Sequence, residues 1–375
     1  MRVLHLHSSF NRGGKELRAA QLINAFGKSV EHTIVSAQPD AIGAAAAIDP
    51  RMNVRYPDDF PSLAGKPLPG RLQRLAKAMQ GFDLVLTYNW GAMDAVMAHT
   101  LFRDLHRLPP LVHHEDGFNE DEAEERKRSR NWFRRIGLGR VSALVVPSRR
   151  LETIALGEWF QPEGRVVRIA NGIDVAAYAK KPRPDALPRV IKRPGEKWLG
   201  TLAGLRPVKN LPRLVRAFAG LPEEWQLVIL GEGPERDAIR AEALRLDLAH
   251  RVHLPGFVPE PAKAVGLFDL FALSSDSEQF PISVVEAMAA GLAVVSTDVG
   301  DVAAMLAEAN RPYVTPAGDE RALAASLEQL AENEALRRGI GEANRLRARA
   351  EYDETAMVAA YRQVYGRALG RPTFP

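Results

Sequence analysis

Two series of short apolar runs rich in β-branched residues, each spaced by helix-length segments, constrain this chain more than any other feature. In the first half the runs are Val3–His7, His32–Ala37, Phe82–Thr87, Leu111–His114, Ala143–Pro147 and Val166–Ala170, with helical segments such as Lys15–Phe26 and Arg149–Trp159 between them. In the second half they are Trp198–Ala203, Gln226–Leu230, Arg251–Leu254, Leu267–Leu273, Ala293–Ser296 and Tyr313–Thr315. Near-continuous apolar strands separated by helices require a parallel sheet covered on both faces. One intervening helix is directly legible: Leu211, Leu214, Val215 and Phe218 recur at i, i+3, i+4 and i+7 and make one apolar stripe. Between the two series, Tyr178 to Gly195 carries four prolines and little periodicity, which predicts a linker at 178–195. Residues Glu320–Gly370 are expected to be helical throughout. A length of 375 residues suits two or three domains. The expected fold class is α/β: two doubly wound, Rossmann-like units of similar size, facing each other across an interdomain cleft. Ligands of open α/β sheets bind beyond the carboxyl ends of the strands, so the chemistry is expected in loops that follow strands of both units.

Composition removes several alternatives. Charged residues make up 26% and hydrophobic residues 46%, which excludes a mainly disordered chain. There is no cysteine, so a disulfide framework, a thiolate zinc site, an iron–sulfur cluster and a cysteine nucleophile are all excluded. No uncharged apolar run approaches the ~20 residues needed to span a bilayer. The opening residues, MRVLHLHSSF, lack the apolar core and cleavage site of a secretory leader. A cytoplasmic protein, or one at the inner face of the membrane, is expected. The net charge of +4 allows contact with anionic lipid without demanding it, and no nucleic-acid partner is expected.

Four segments carry candidate chemistry. Asn11-Arg12-Gly13-Gly14-Lys15-Glu16 lies between the first strand and the first helix. Its glycines allow close backbone approach, and the helix N-terminus offers N–H groups to an anion. The strict dinucleotide fingerprint is missing there, as is an acidic residue at the end of the second strand, Ser36-Ala37-Gln38. Gly204-Leu205-Arg206-Pro207-Val208-Lys209-Asn210 places two cations after the first strand of the second half, which suits a phosphate leaving group or, equally, two solvated charges. Glu278-Gln279-Phe280-Pro281-Ile282-Ser283-Val284-Val285-Glu286 opens a helix, with one carboxylate in the preceding loop and one within its first two turns. That N-terminus would attract a diphosphate. His113-His114-Glu115-Asp116-Gly117 follows the fourth strand. Adjacent histidines on a strand point to opposite faces, and no D-x-D string occurs, so neither a metal nor another cofactor is expected.

Taken in order, these segments resemble the family 4 retaining glycosyltransferases of GT-B fold. The resemblance is carried by Glu278 and Glu286 followed by Ala287-Met288-Ala289-Ala290-Gly291 and Val294-Val295-Ser296-Thr297-Asp298-Val299-Gly300. It extends to Asn171-Gly172-Ile173-Asp174, Lys209-Asn210, Gly231-Glu232-Gly233-Pro234 and Tyr361 with Tyr365, so it covers essentially the whole chain. It implies that Glu286 holds the ribose hydroxyls of a nucleotide-diphosphate sugar, that Glu278 lies near the donor sugar, and that the backbone N–H groups of Ile282 and Ser283 bind its phosphate or sugar. Lys209 would stabilise the diphosphate leaving group, Gly14 would let the donor phosphate come close, and Gly256-Phe257-Val258 would contact the base. His113 is the histidine favoured to face the donor sugar and acceptor. Three positions depart from the family pattern: Gly204 stands where an arginine is usual, with Arg206 assigned to the same phosphate from a shifted place, and Gln279 and Ala293 replace the usual Gly and Pro. The resemblance also implies a nucleotide-sugar-binding domain at 196–354 and a final segment, 355–375, that crosses back onto the domain formed by residues 1–177.

The implied activity is transfer of a hexose-type group, with retention, from a nucleotide-diphosphate sugar to a hydroxyl of a glycan or lipid-linked acceptor, as in cell-envelope or exopolysaccharide synthesis. A nucleotide-sugar epimerase of similar fold and a non-catalytic sugar binder are the alternatives. A charge-segregated stretch bears on the partner. Residues Glu115–Glu125 hold seven acids, and Arg126–Arg140 hold seven bases with Trp132, Phe133 and Ile136 among them. Such a helix either is solvated through i,i+4 pairs or rests peripherally on an anionic membrane.

Overall fold

The computed structural model describes residues 1–118, 122 and 126–375. The acidic half of the charge-segregated stretch lies largely outside the described residues. The chain divides into two compact units, one formed by Met1–Asn171 with Met357–Pro375 and the other by Gly172–Ala356.

Among the described residues, the first unit holds a seven-stranded sheet: β1 (Arg2–His7), β2 (Glu31–Ser36), β3 (Asn53–Arg55), β4 (Leu84–Tyr88), β5 (Leu111–His114), β6 (Ala143–Val146) and β7 (Val166–Arg168). The order is β3-β2-β1-β4-β5-β6-β7, with every pair parallel. Its helices are α1 (Gly14–Phe26), α2 (Pro69–Ala78), α3 (Met93–His106), α4 (Arg128–Gly137) and α5 (Arg149–Gly157). Period-two alternation divides each strand between two cores. Leu4, Leu6, Val85, Leu111 and Leu144 pack with α2, α3 and α5. Val3, Leu84, Leu86, Val112 and Val145 pack on the opposite face with α1 and with Met357, Tyr361 and Tyr365.

The second unit repeats the pattern: β8 (Lys197–Leu202), β9 (Trp225–Leu230), β10 (Val252–Gly256), β11 (Leu270–Leu273), β12 (Val294–Thr297) and β13 (Val314–Thr315), in the parallel order β10-β9-β8-β11-β12-β13. Its helices are α6 (Leu211–Phe218), α7 (Arg236–Arg245), α8 (Ile282–Ala289), α9 (Val302–Met305), α10 (Glu320–Glu332) and α11 (Glu334–Glu351), followed by α12 (Glu354–Ala368), most of which belongs to the first unit. The α6 stripe of Leu211, Leu214, Val215 and Phe218 is buried against Leu227 and Ile229 of the sheet, as its spacing demands.

Every strand expected from the sequence is present, and β3 is an additional edge strand. Two expectations change. The C-terminal helical stretch is three helices, because Asn333 accepts from the Leu336 amide and caps α11, and because Tyr352 and Asp353 pair with Ile173: Ile173 N donates to Tyr352 O at 3.0 Å and Glu354 N to Ile173 O at 2.9 Å. The segment 178–195 is docked on the second unit: Lys192 Nζ donates to Leu267 O and Asp269 Oδ2, both at 2.6 Å, and Leu187 is buried.

Candidate active site

The strand order reverses between β8 and β11, the place in an open α/β sheet where ligands bind beyond the carboxyl ends of the strands. Lys209 comes from the loop after β8 and Glu278 from the loop after β11. The Lys209 ammonium donates to Glu278 Oε1 at 2.5 Å, with the two side chains 14% and 11% exposed. Ser275 Oγ donates to the same oxygen at 2.8 Å. Both loops are built to hold this pair. Asn210 adopts a left-handed conformation and caps α6 by accepting from Arg213 N, which ends the short turn Pro207–Lys209 at the lysine. Ser274 Oγ donates to Lys209 O at 3.0 Å and Asp276 N to Val208 O at 2.8 Å, so the two loops are tied backbone to backbone. Arg213 pairs with Asp276 at 2.7 Å. Behind Glu278 runs the turn after β12. Gly300 sits there at φ +59°, and a Cβ at this position would lie 2.6 Å from the carbonyl oxygens of both Glu278 and Gln279.

Four residues beyond Glu278, helix α8 begins. The first N–H groups of a helix have no intrahelical acceptor, so Ile282 and Ser283 present two donors and the positive end of the helix dipole beside the Lys209–Glu278 pair. Glu286, one turn on, is buried, and Tyr178 donates to its Oε1 at 2.8 Å. Burial pushes the Glu286 carboxyl up to about 7, against the lowering effect of the Tyr178 hydrogen bond. Arg206 is exposed two residues after Gly204, and Phe257 is exposed beside Val258 in the loop that leaves β10. Gln279 Oε1 is buried without a partner. Of the expected residues, Lys209 and Glu278 are in direct contact, while Ile282, Ser283 and Glu286 follow Glu278 along the first two turns of α8. Tyr178 and Ser275 hold the two glutamates, and no spacing in the sequence points to them, whereas Gly300 closes a motif that the sequence does show.

The first unit places Gly14 at the start of α1, exposed, after Gly13 as the helix N-cap. Lys15 pairs with Glu16, whose carboxyl is raised by burial despite that lysine. His113 and His114 leave β5 on opposite faces, and both are buried. His113 Nδ1 shares a hydrogen bond with Thr87 Oγ1 at 2.8 Å, and its Nε2 lies 3.7 Å from Glu115, which accepts from Arg134 at 3.1 Å. His114 Nδ1 donates to Thr87 O at 3.1 Å and Nε2 accepts from Tyr365 at 2.9 Å, which fixes a neutral tautomer; burial lowers this ring to about 3. Burial alone would raise the Asp116 carboxyl, but Arg18, which pairs with it, holds it below its ordinary value. Among the described residues no group of His, Cys, Asp or Glu is arranged to hold a metal ion.

Two family models account for nearly all of the chain. Residues 12–177 match the model described as Glycosyltransferase Family 4, and residues 184–347 match Glycosyl transferases group 1. The chain belongs to the family 4 glycosyltransferases of GT-B fold. The expected pair of Rossmann-like units is that fold. The chain is 28% identical over 210 residues to an N-acetyl-alpha-D-glucosaminyl L-malate synthase of Bacillus anthracis, a match covering 56% of this chain and 55% of that one. It is 33% identical over 211 residues to a phosphatidyl-myo-inositol mannosyltransferase of Mycolicibacterium smegmatis, covering 54% and 50%. The chain thus spans about half the length of these curated relatives. Its fold superposes on Anabaena Alr3699/HepE in complex with UDP and glucose with a TM-score of 0.80 at 20% identity, over 98% of this chain and 99% of that one.

Proposed function

We propose that the protein transfers a hexose-type group from a nucleotide-diphosphate sugar to a hydroxyl of a glycan or lipid-linked acceptor, with retention at the anomeric carbon. The observation that carries this proposal is the Lys209–Glu278 pair at the reversal of strand order, next to the N-terminus of α8. Diphosphate oxygens would take the Lys209 ammonium from Glu278 and accept from the amides of Ile282 and Ser283. Ser275 would keep Glu278 in place, free to orient the sugar and support positive charge on it. Ribose hydroxyls would be met by Glu286 and the base by Phe257 and Val258, with Arg206 reaching the phosphates. In the reaction the bond from the anomeric carbon to the phosphate oxygen breaks while the acceptor oxygen bonds to that carbon from the same face. The acceptor's proton passes to the departing phosphate. Charge developing on the leaving group is then met by preorganised donors, the effect that contributes most in sites of this kind. No divalent metal is needed, since a lysine and a helix N-terminus supply the positive charge.

Peripheral membrane contact is the proposed route to a lipid-linked acceptor. Trp132, Ile136 and Phe160 are each more than half exposed, and the Arg135 guanidinium lies between the Trp132 and Phe160 rings, at 4.4 and 3.9 Å from their centroids. No helix among the described residues is long and apolar enough to cross a membrane.

The test is release of nucleoside diphosphate from a panel of UDP-, GDP- and ADP-sugars with and without glycan and lipid-linked acceptors. Acceptor-dependent release that disappears in Lys209→Ala supports transfer. An isomerised sugar formed without any acceptor would identify an epimerase instead.

A further inference from the structure

The Glu286 carboxylate takes its hydrogen bond from outside its own motif. The donor is Tyr178, in the short turn Ala177–Ala179, soon after the second unit begins at Gly172. Both side chains are buried. The last torsion of a glutamate is broad and roughly two-fold, so an unrestrained carboxylate spins among orientations. A single short donor on one oxygen removes that freedom. We propose that Tyr178 is a positioning residue for the donor nucleotide: its hydroxyl fixes the Glu286 carboxylate through Oε1 and turns Oε2 toward the ribose hydroxyls. This inference rests on Glu286 being the ribose carboxylate. Oε1 keeps a second lone pair, so the tyrosine orients the group without exhausting its capacity to accept.

The contact also acts on charge. Burial raises the Glu286 carboxyl to about 7, and the hydrogen bond from Tyr178 opposes that rise. The other elements packed on α8 offer Glu286 little electrostatic help. The 265–267 turn, β11 and β12 contribute apolar and hydroxyl side chains. On α11, Asn344 donates to Leu292 O, and Arg345 and Glu342 are bound to each other. Asp174 lies behind Tyr178 and adds to burial in keeping the phenol protonated. Only the ionised carboxylate accepts from both ribose hydroxyls, so nucleotide affinity should follow the ionisation of Glu286 and, through it, the tyrosine.

The experiment measures affinity for UDP, GDP and ADP, and for inorganic pyrophosphate, from roughly pH 5.5 to 9. The full chain is used as wild type, Tyr178→Phe and Glu286→Gln. Wild-type nucleotide affinity is expected to rise with pH through a midpoint near 7. In Tyr178→Phe the midpoint moves up by about one pH unit, affinity at neutral pH falls at least about fivefold, and a loss of more than about twofold remains at the alkaline end, where the carboxylate is ionised but no longer held in orientation. Pyrophosphate, which has no ribose, binds both proteins equally and reports that the site is still folded. An unshifted midpoint, or equal loss of pyrophosphate and nucleotide, overturns the role of Tyr178 while leaving Glu286 as the ribose carboxylate. Glu286→Gln binding nucleotide as tightly as wild type at every pH overturns the assignment of Glu286 itself.

Discussion

The two units share a strand order and differ in what they do with polar side chains at the sheet. In the first unit the polar residues are turned inward. His5 Nε2 lies 2.9 Å from His32 Nδ1, His7 stacks on Tyr88 at 3.9 Å, and His114 bonds Tyr365 of the returning C-terminal helix. In the second unit the buried strand positions are apolar or carry small hydroxyls such as Thr201, Ser296 and Thr297, and Lys209 and Glu278 in the loops at the strand ends remain partly exposed. The same topology thus carries buried imidazole and phenol groups beside a buried Arg18–Asp116 pair in one unit, and a partly exposed Lys209–Glu278 pair at the strand ends in the other. Fold alone does not distinguish the two, and the placement of individual side chains does.

The sharpest way to break this comparison is to remove the reactive pair. Lys209→Ala and Glu278→Ala should each lower turnover by at least about 10²–10³-fold while the far-UV spectrum and melting temperature stay near wild type. Turnover that survives both substitutions would place the chemistry elsewhere. A backbone probe comes next. Gly231 sits at φ +147°, with a would-be Cβ 1.8 Å from Ala203 O, so Gly231→Ala should destabilise the second unit by about 3 kcal/mol or more, read by denaturant unfolding.

Acid should separate the units. His32 and His99 are lowered to about 4 and His114 to about 3, and His5 and His7 lie well below their ordinary value, all through burial. The unfolded chain binds more protons than the folded one between these values and about 6.5, so this stability is complete above about pH 6.5 and is lost as pH falls toward 3. Glu286 has the opposite sign: its raised carboxyl costs stability above about pH 7, and that cost is relieved as pH falls toward its unfolded value. Hydrogen exchange during acid titration should therefore show the first unit opening before the second, and the reverse order would contradict the assignment of buried neutral histidines. The smallest expected effect is at the His114–Tyr365 contact. Tyr365→Phe removes a donor to a buried ring nitrogen and should cost the first unit about 1–3 kcal/mol without changing nucleotide affinity.

Much of the scaffold was legible because each buried strand is a continuous apolar run. Strand β3 was not, because Asn-Val-Arg at a sheet edge has one apolar residue and no run to detect. The break at Tyr352 and Asp353 was hidden because its cause, the backbone of Ile173, lies far away in the chain. Glu278, Glu286 and Lys209 stood out through their motif. Tyr178 did not, since it meets Glu286 across 108 residues of sequence. The surroundings of the buried histidines were equally invisible: alternation shows that His5 and His7 share a face, and not what the face meets.

The most direct measurement is the structure of the protein in complex with whichever of UDP, GDP and ADP binds tightest. The diphosphate is predicted to lie against the Lys209 ammonium and the Ile282 and Ser283 amides, with Lys209 drawn away from Glu278 and the ribose on Glu286. A diphosphate bound elsewhere, with the Lys209–Glu278 pair intact, would contradict the account.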